Sequence, residues 1–285
     1  AYAGGMDTLT VAERAADVIR QRAGRSPSVG VICGTGFAAC TDVLSDRVSF
    51  AFDELGFRPS AIEDHVNEVD VGELDGVTVA AVKAKVLPCD GASWQESGLP
   101  ARSLARAGCR TLLYSANSGS MREDVAPGSF VLFTDHINFS GVNPLSDERE
   151  GGGWPTPYLS MAELYDKALT ESVRTAVEAA GVPFPTGVAG YWMGPSFETP
   201  AEIRLAQMAG CSVSSNSFVP EVMAAYHAGM RVVAFTFVST MSAGIGPPID
   251  MGPVLELSHE AHDDFRRILR AAIPVLATAE GEAHG

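Results

Sequence analysis

Short apolar runs rich in β-branched residues recur along this chain, at 29–33, 77–82, 111–114, 129–133, 187–191 and 232–238. Between them lie longer stretches whose apolar residues return every three to four positions, at 6–23, 100–107, 161–180, 200–209, 220–228 and 255–279. A continuous apolar strand has both faces buried, and helices at the intervening positions supply the cover. The alternation therefore predicts an α/β fold with a central, largely parallel sheet flanked by helices. One pair breaks the pattern. Residues 69–72 and 77–82, joined through Leu74-Asp75-Gly76, read as an antiparallel hairpin, so the sheet is expected to be mixed. No repeat or long linker divides the chain, and 6–285 reads as a single domain. Ala1-Tyr2-Ala3-Gly4-Gly5 before Met6 reads as an expression remnant. Gly151-Gly152-Gly153, within a polar stretch from 147 to 157, reads as a loop near a site.

Charge narrows the range of partners. Aspartate and glutamate total 35 against 20 lysines and arginines, a formal charge of −15. Nucleic acids and anionic membranes are held by clustered cations, and no basic run here exceeds two residues, so neither is an expected partner. No charged-then-apolar leader and no uncharged apolar stretch near twenty residues is present, which predicts neither secretion nor a membrane span. The five cysteines are scattered, with no CxxC pair or Cys/His cluster. They read as reduced thiols of a cytoplasmic protein, with no metal site.

Ligands of open α/β sheets sit at the carboxyl ends of strands. After the first run comes Gly34-Thr35-Gly36, a tight turn whose amides and hydroxyl can hold an anion or can serve only as a turn. Ser115-Ala116-Asn117-Ser118-Gly119-Ser120 reads as a second polar turn. Thr134-Asp135-His136-Ile137-Asn138 reads as a loop, fit for acid/base work or for a hydrogen-bond network of its own. The densest constellation is Gly194-Pro195-Ser196-Phe197-Glu198-Thr199-Pro200-Ala201-Glu202. Thr199 there caps a helix opened by Pro200, with Glu202 completing a capping box, and Glu198 stands just before the cap. Ser215-Asn216-Ser217-Phe218-Val219-Pro220-Glu221 closes another short strand, and Thr240-Met241-Ser242 follows the last.

Taken in order, these loops resemble the low-molecular-mass, trimeric branch of the purine nucleoside phosphorylases. The resemblance runs from about Val29 to Phe265. It is strongest at 134–138 with Asn143-Pro144-Leu145, at 194–202, and from Val219-Pro220-Glu221 through His227-Ala228-Gly229-Met230-Arg231. It implies a nucleoside phosphorylase-like mixed sheet, a homotrimer, and no cofactor beyond inorganic phosphate as co-substrate. The reaction implied is displacement of the base of a nucleoside by phosphate, giving free base and a pentose 1-phosphate.

The resemblance assigns phosphate binding to Thr35, His65, Lys85, Asn117 and Ser217. It sets Glu198 on the purine's polar edge and Phe197 on the ring, with His259 near the sugar's 5′ end. Tyr158 or Trp154 falls where the family sends an aromatic residue into a neighbouring subunit. His65, Glu198 and Thr240 are the expected catalytic residues; Cys89, Tyr158, Phe197, Glu198, Asn216, Thr240 and His259 are the expected substrate contacts. Four stretches depart from the family. Its Gly-Arg-x-His-x-Tyr-Glu-Gly segment is Ala84-Lys85-Val86-Leu87-Pro88-Cys89-Asp90-Gly91 here. Its Asn-Ala step is Ala116-Asn117, its Gly-Met-Ser is Ser215-Asn216-Ser217, and the asparagine facing the purine is Thr240. A lysine keeps the charge of an arginine and loses its bidentate fork. Two alternatives to phosphorolysis stay open on this sequence: hydrolysis or another reaction on a different, biosynthetic substrate, and ligand binding without catalysis.

Overall fold

In the computed structural model, which describes residues 7–62, 65–146, 153–247 and 251–279, the apolar runs become strands of a nine-stranded mixed sheet. The strands are β1 (Val29–Ile32), β2 (Ser45–Ala51), β3 (Glu68–Leu74), β4 (Val77–Val82), β5 (Thr111–Ser120), β6 (Phe130–Asn138), β7 (Thr186–Tyr191), β8 (Cys211–Ser215) and β9 (Arg231–Met241). Their order is β2-β3-β4-β1-β5-β8-β7-β6-β9, with β9 returning to pair with β5. Five strands thus close into a ring, and β1, β4, β3 and β2 extend from it as an open arm. β1 runs parallel to β4 and β5, and β5 parallel to β9, so their carboxyl ends share one rim. The hairpin forms where the sequence places it. Asp75 and Gly76 both take positive φ, 50° and 80°, which matches the twist of the flanking strands β3 and β4.

The helices are α1 (Thr8–Ala23), α2 (Phe52–Leu55), α3 (Trp94–Ala107), α4 (Lys167–Ala179), α5 (Pro200–Met208), α6 (Val219–His227), α7 (Met251–Glu260) and α8 (His262–Thr278). Successive residues of β5 feed opposite cores, as the strand pleat requires. Leu112 and Tyr114 pack with Ile19, Leu99 and Val222 of α1, α3 and α6, while Leu113 packs with Val173, Phe265 and Leu269 of α4 and α8. Phe37 stacks on Phe265 at 4.4 Å in the second core.

Several boundaries differ from the sequence reading, each for a local reason. α3 begins at Trp94 rather than at Pro100, because Ser93 and Glu96 form a capping box upstream and the proline lies inside the helix. α4 begins at Lys167, capped by Asp166, whose carboxylate accepts from Leu169 N at 2.9 Å. The single helix expected over 255–279 is two, α7 and α8, meeting at Ala261. The expected polar turn at 115–120 continues β5, and the expected loop at 134–138 continues β6. Pairing with β9 and β7 supplies backbone partners that make strands of these polar residues. Residues 1–5 and the glycines at 151 and 152 lie outside the described residues. No described helix is long and apolar enough to cross a membrane.

α3 and α6 approach so closely that a Cβ on Gly98 would stand 2.7 Å from Ala224 Cβ. Gly98→Val is expected to destabilise the fold by about 1–3 kcal/mol through overpacking, measured by urea unfolding.

Candidate active site

The rim where the open arm meets the ring gathers polar side chains. β1 runs into Gly34-Thr35-Gly36, and a Cβ on Gly34 would lie 2.6 Å from Asn117 Oδ1 and 3.0 Å from Ser115 Oγ. Only glycine lets the turn lie this close to β5. Asn117 Nδ2 donates to Thr35 O at 3.2 Å, and Ser215 Oγ donates to Asn117 O at 2.7 Å, tying the turn to β5 and β8.

His65 reaches the same turn from the segment before β3. Its Nε2 lies 2.9 Å from Thr35 Oγ1, and its Nδ1 lies 2.7 Å from Ser60 Oγ. Lys85 N–H donates to Nδ1 at 3.4 Å. An accepting Nδ1 places the ring proton on Nε2, which donates to the Thr35 oxygen. The Thr35 hydroxyl hydrogen is then available to an incoming anion.

Lys85 follows β4 and points inward, with the residue only 2% exposed. Its ammonium donates to Ser217 Oγ at 3.4 Å and stands 4.5 Å over the ring of Tyr114. Tyr114 OH in turn donates to Glu221 Oε1 at 3.1 Å, while Glu221 Oε2 has no hydrogen-bond partner. Burial pushes the Lys85 ammonium well below the ordinary lysine range, against the pull of the Glu221 charge. Burial likewise pushes the Glu221 carboxyl up, opposed chiefly by Lys85. Thr35, His65, Lys85, Asn117 and Ser217 are thus brought together. Ser60, Tyr114 and Glu221 belong to the same cluster and were not singled out from sequence as site residues. The available signal was Glu221 itself, a lone charge inside the apolar run that opens α6.

A second group lies along the ring. Thr240 sits opposite Gly119 in the β5–β9 register, and Ser214 Oγ and Ser242 Oγ are 3.1 Å apart beside them. Glu198 faces Ser214. Burial raises its carboxyl above the ordinary range, and its own backbone amide and the Ser214 hydroxyl pull it back. The expected capping box holds this corner: Glu202 N–H donates to Thr199 Oγ1 at 3.3 Å, and Thr199 N–H donates to Glu202 Oε2 at 2.6 Å. Gly194 takes a positive φ of 70°, and a Cβ there would press on Asn216 Nδ2 at 3.0 Å and Cys89 Cβ at 3.3 Å. Cys89, Asn216 and the 194–199 turn therefore share one wall. Burial raises the Cys89 thiol, which leaves it protonated and unreactive at neutral pH. Leu87 is buried, and Phe197 is 52% exposed.

Two expected contacts lie at exposed positions. His259 is exposed, packs its ring 5.1 Å from His262, and lines a cavity of about 210 Å³ with Gly36 of the Thr35 turn, Arg47 and Lys83. Tyr158 is 87% exposed. Its alternative, Trp154, is committed to its own subunit's core: the indole donates to Thr8 Oγ1 at 3.1 Å, beneath the Arg102 and Arg106 guanidiniums. Among the described residues, no three His, Cys, Asp or Glu side chains converge as a metal site.

A strand-end turn, an inward-pointing cation and a carboxylate before a capped helix define a class. Residues 28–274 match the family model of the phosphorylase superfamily, to which the chain belongs. Within it, the chain is a member of the purine nucleoside phosphorylase family. It is 31% identical to purine nucleoside phosphorylase 1 of Bacillus subtilis, across 92% of this chain and 97% of that one. It is 30% identical to purine nucleoside phosphorylase 1 of Geobacillus stearothermophilus, across 94% and 98%. In fold it is similar to isoform 2 of purine nucleoside phosphorylase from Schistosoma mansoni, solved with cytosine and ribose-1-phosphate. That match has a TM-score of 0.87 at 24% identity and covers 98% of this chain and 99% of that one.

The buried lysine has a signature in stability. Between about 8 and 10.5 the unfolded chain binds the Lys85 proton and the folded chain releases it, so stability gains from this group as pH rises through that window. Lys85→Met is expected to abolish this gain, read from urea unfolding at pH 7.5 and pH 10.

Proposed function

We propose that the protein is a purine nucleoside phosphorylase that cleaves the N-glycosidic bond with inorganic phosphate. The observation that carries this reading is a chain of contacts at one strand-end rim: Thr35 to His65, His65 to the Lys85 backbone amide, and the buried Lys85 ammonium to Ser217. Among the described residues that ammonium donates a single long hydrogen bond, to Ser217 Oγ, so an anion completes its coordination. Asn117 holds the Thr35 turn in place, and His65 orients the Thr35 hydroxyl toward the anion.

In this reading the glycosidic bond lengthens until the sugar carries oxocarbenium charge. Phosphate stabilises that cation and then bonds to the anomeric carbon as the base departs. Glu198 accepts an N–H from the purine, and Phe197 covers the ring face. Thr240 offers one hydroxyl donor to the leaving base where an amide would offer a donor and an acceptor. Cys89 and Asn216 form the wall beside the nucleoside. The reaction needs no cofactor beyond phosphate. The substituted wall (Leu87, Cys89, Asn216, Thr240) supports a second reading, in which the site has moved to a different base or sugar, or from phosphate to water.

With inosine, guanosine and adenosine as probes, base release is expected to depend on phosphate. Glu198→Ala is expected to lower kcat/KM by roughly ten- to a hundredfold, the worth of a charged hydrogen bond of about 1.5–3 kcal/mol. Equal release without phosphate favours the hydrolytic reading; no release from any nucleoside, with no binding by calorimetry, contradicts both.

We further propose that the enzyme is a cytoplasmic homotrimer. Exposed apolar side chains on and before α5, Met193, Phe197, Leu205 and Met208, together with Tyr158, support a subunit contact there. Light scattering is expected to give three times the chain mass, and Leu205→Glu with Met208→Glu is expected to lower it.

A further inference from the structure

Among the described residues the lysine under the anion site touches no counter-charge, yet a carboxylate is sealed in with it, across Tyr114. Glu221 is 2% exposed and sits on α6, which begins two residues after Ser217. Between the two charges stands Tyr114 of β5, its hydroxyl donating to Glu221 Oε1 and its ring face beneath Lys85 Nζ. The second carboxylate oxygen has no partner. A buried carboxylate left half-satisfied is costly, and it needs a positive charge close by to persist as an anion.

We propose that Glu221 is a positioning residue for Lys85: acting across Tyr114, it keeps the ammonium charged at the floor of the anion site and so sets how tightly the enzyme holds phosphate. The proposal rests on the phosphate reading above. An arginine at position 85 would stay charged unaided, whereas a buried lysine sheds its proton unless a negative charge opposes the loss. Among the described residues, the other titratable groups whose shifts involve the pair are raised thiols and phenols. The Cys33 thiol, at the end of β1, is raised by burial and stays protonated. Tyr114 and Tyr191 are raised likewise, and so is Cys89, which with Tyr191 faces Glu221. His65 meets Lys85 through the backbone amide, with its Nδ1 accepting. Burial and the Glu221 charge therefore act on the ammonium in opposite senses; burial is the larger, and Glu221 is the largest influence that opposes it.

The test is the dissociation constant of inorganic phosphate as a function of pH, measured by calorimetry on the intact enzyme. Binding by the wild type is expected to weaken on an alkaline limb as Lys85 loses its proton. Glu221→Gln is expected to move that limb down by a pH unit or more, so that phosphate binds about tenfold more weakly above it, with little change well below it. Lys85→Arg is expected to remove the limb and to make Glu221→Gln silent toward it. A limb that stays in place in Glu221→Gln, or a loss of affinity equal at all pH values, overturns the proposal.

If Glu221→Gln does not fold, Tyr114→Phe carries the test, since losing the tyrosine hydroxyl weakens the anionic form of Glu221 and shifts the limb the same way. A second readout needs no ligand. The chain has three lysines, Lys83, Lys85 and Lys167, so a 13Cε titration of lysine-labelled protein resolves Lys85. Its midpoint is expected to fall in Glu221→Gln, and an unmoved midpoint overturns the proposal. Absence of phosphate binding at every pH in the wild type would instead fail the phosphate reading, leaving the titration to judge Glu221.

Discussion

Lys85 is a primary ammonium held out of water by β1, β5 and α6, with one serine hydroxyl and one aromatic face as its protein partners. A charge in that position is unfavourable unless something negative shares its space. Glu221 lies across Tyr114 from it, and Ser217 accepts its hydrogen bond. The arrangement of His65 follows: its Nδ1 is occupied by the Lys85 amide and Ser60, so its remaining proton fixes the Thr35 hydroxyl. Each polar group at the rim is thus oriented by the next, and on the proposed reading the open end of the chain of contacts receives the anion.

The sheet makes this possible. Because β5 belongs both to the open arm and to the closed ring, its last residues run between β1 on one side and β8 and β9 on the other. Polar side chains that would be stray in an ordinary strand end, Ser115, Asn117 and Ser118, are there the lining of a junction. Their buried oxygens without protein partners mark the junction as a place where a ligand or water supplies the missing hydrogen bonds. Glu198 is held beside Ser214 by the capped start of α5, a rigid element that fixes where its carboxylate stands.

Much of this was legible in the residues. Apolar runs located six of the nine strands, and the Asp75-Gly76 turn located the hairpin by its need for positive φ. The capping box at Thr199 and Glu202 located the start of α5, with Glu198 just before it. What was not legible came from pairing over long distance. The polar halves of β5 and β6 are strands only because β9 and β7 lie beside them, and no local pattern carries that information. Ring closure through β5 and β9 was invisible for the same reason. The burial of Trp154 against Thr8 and beneath two arginines also comes from residues far away in the chain. At the site, Lys85 was recognised as the cation in an arginine's place. Its inward direction, and the dependence on Glu221 that burial creates, required the three-dimensional arrangement.

The shortage of cations in an acidic chain thus resolves into a single well-placed one. The most direct measurement of that claim is a crystal structure of the enzyme grown with phosphate. The account predicts one tetrahedral anion within about 3.2 Å of Thr35 Oγ1, Lys85 Nζ and Ser217 Oγ. A structure with phosphate bound elsewhere, or with the Lys85 ammonium turned away from it, would contradict the account.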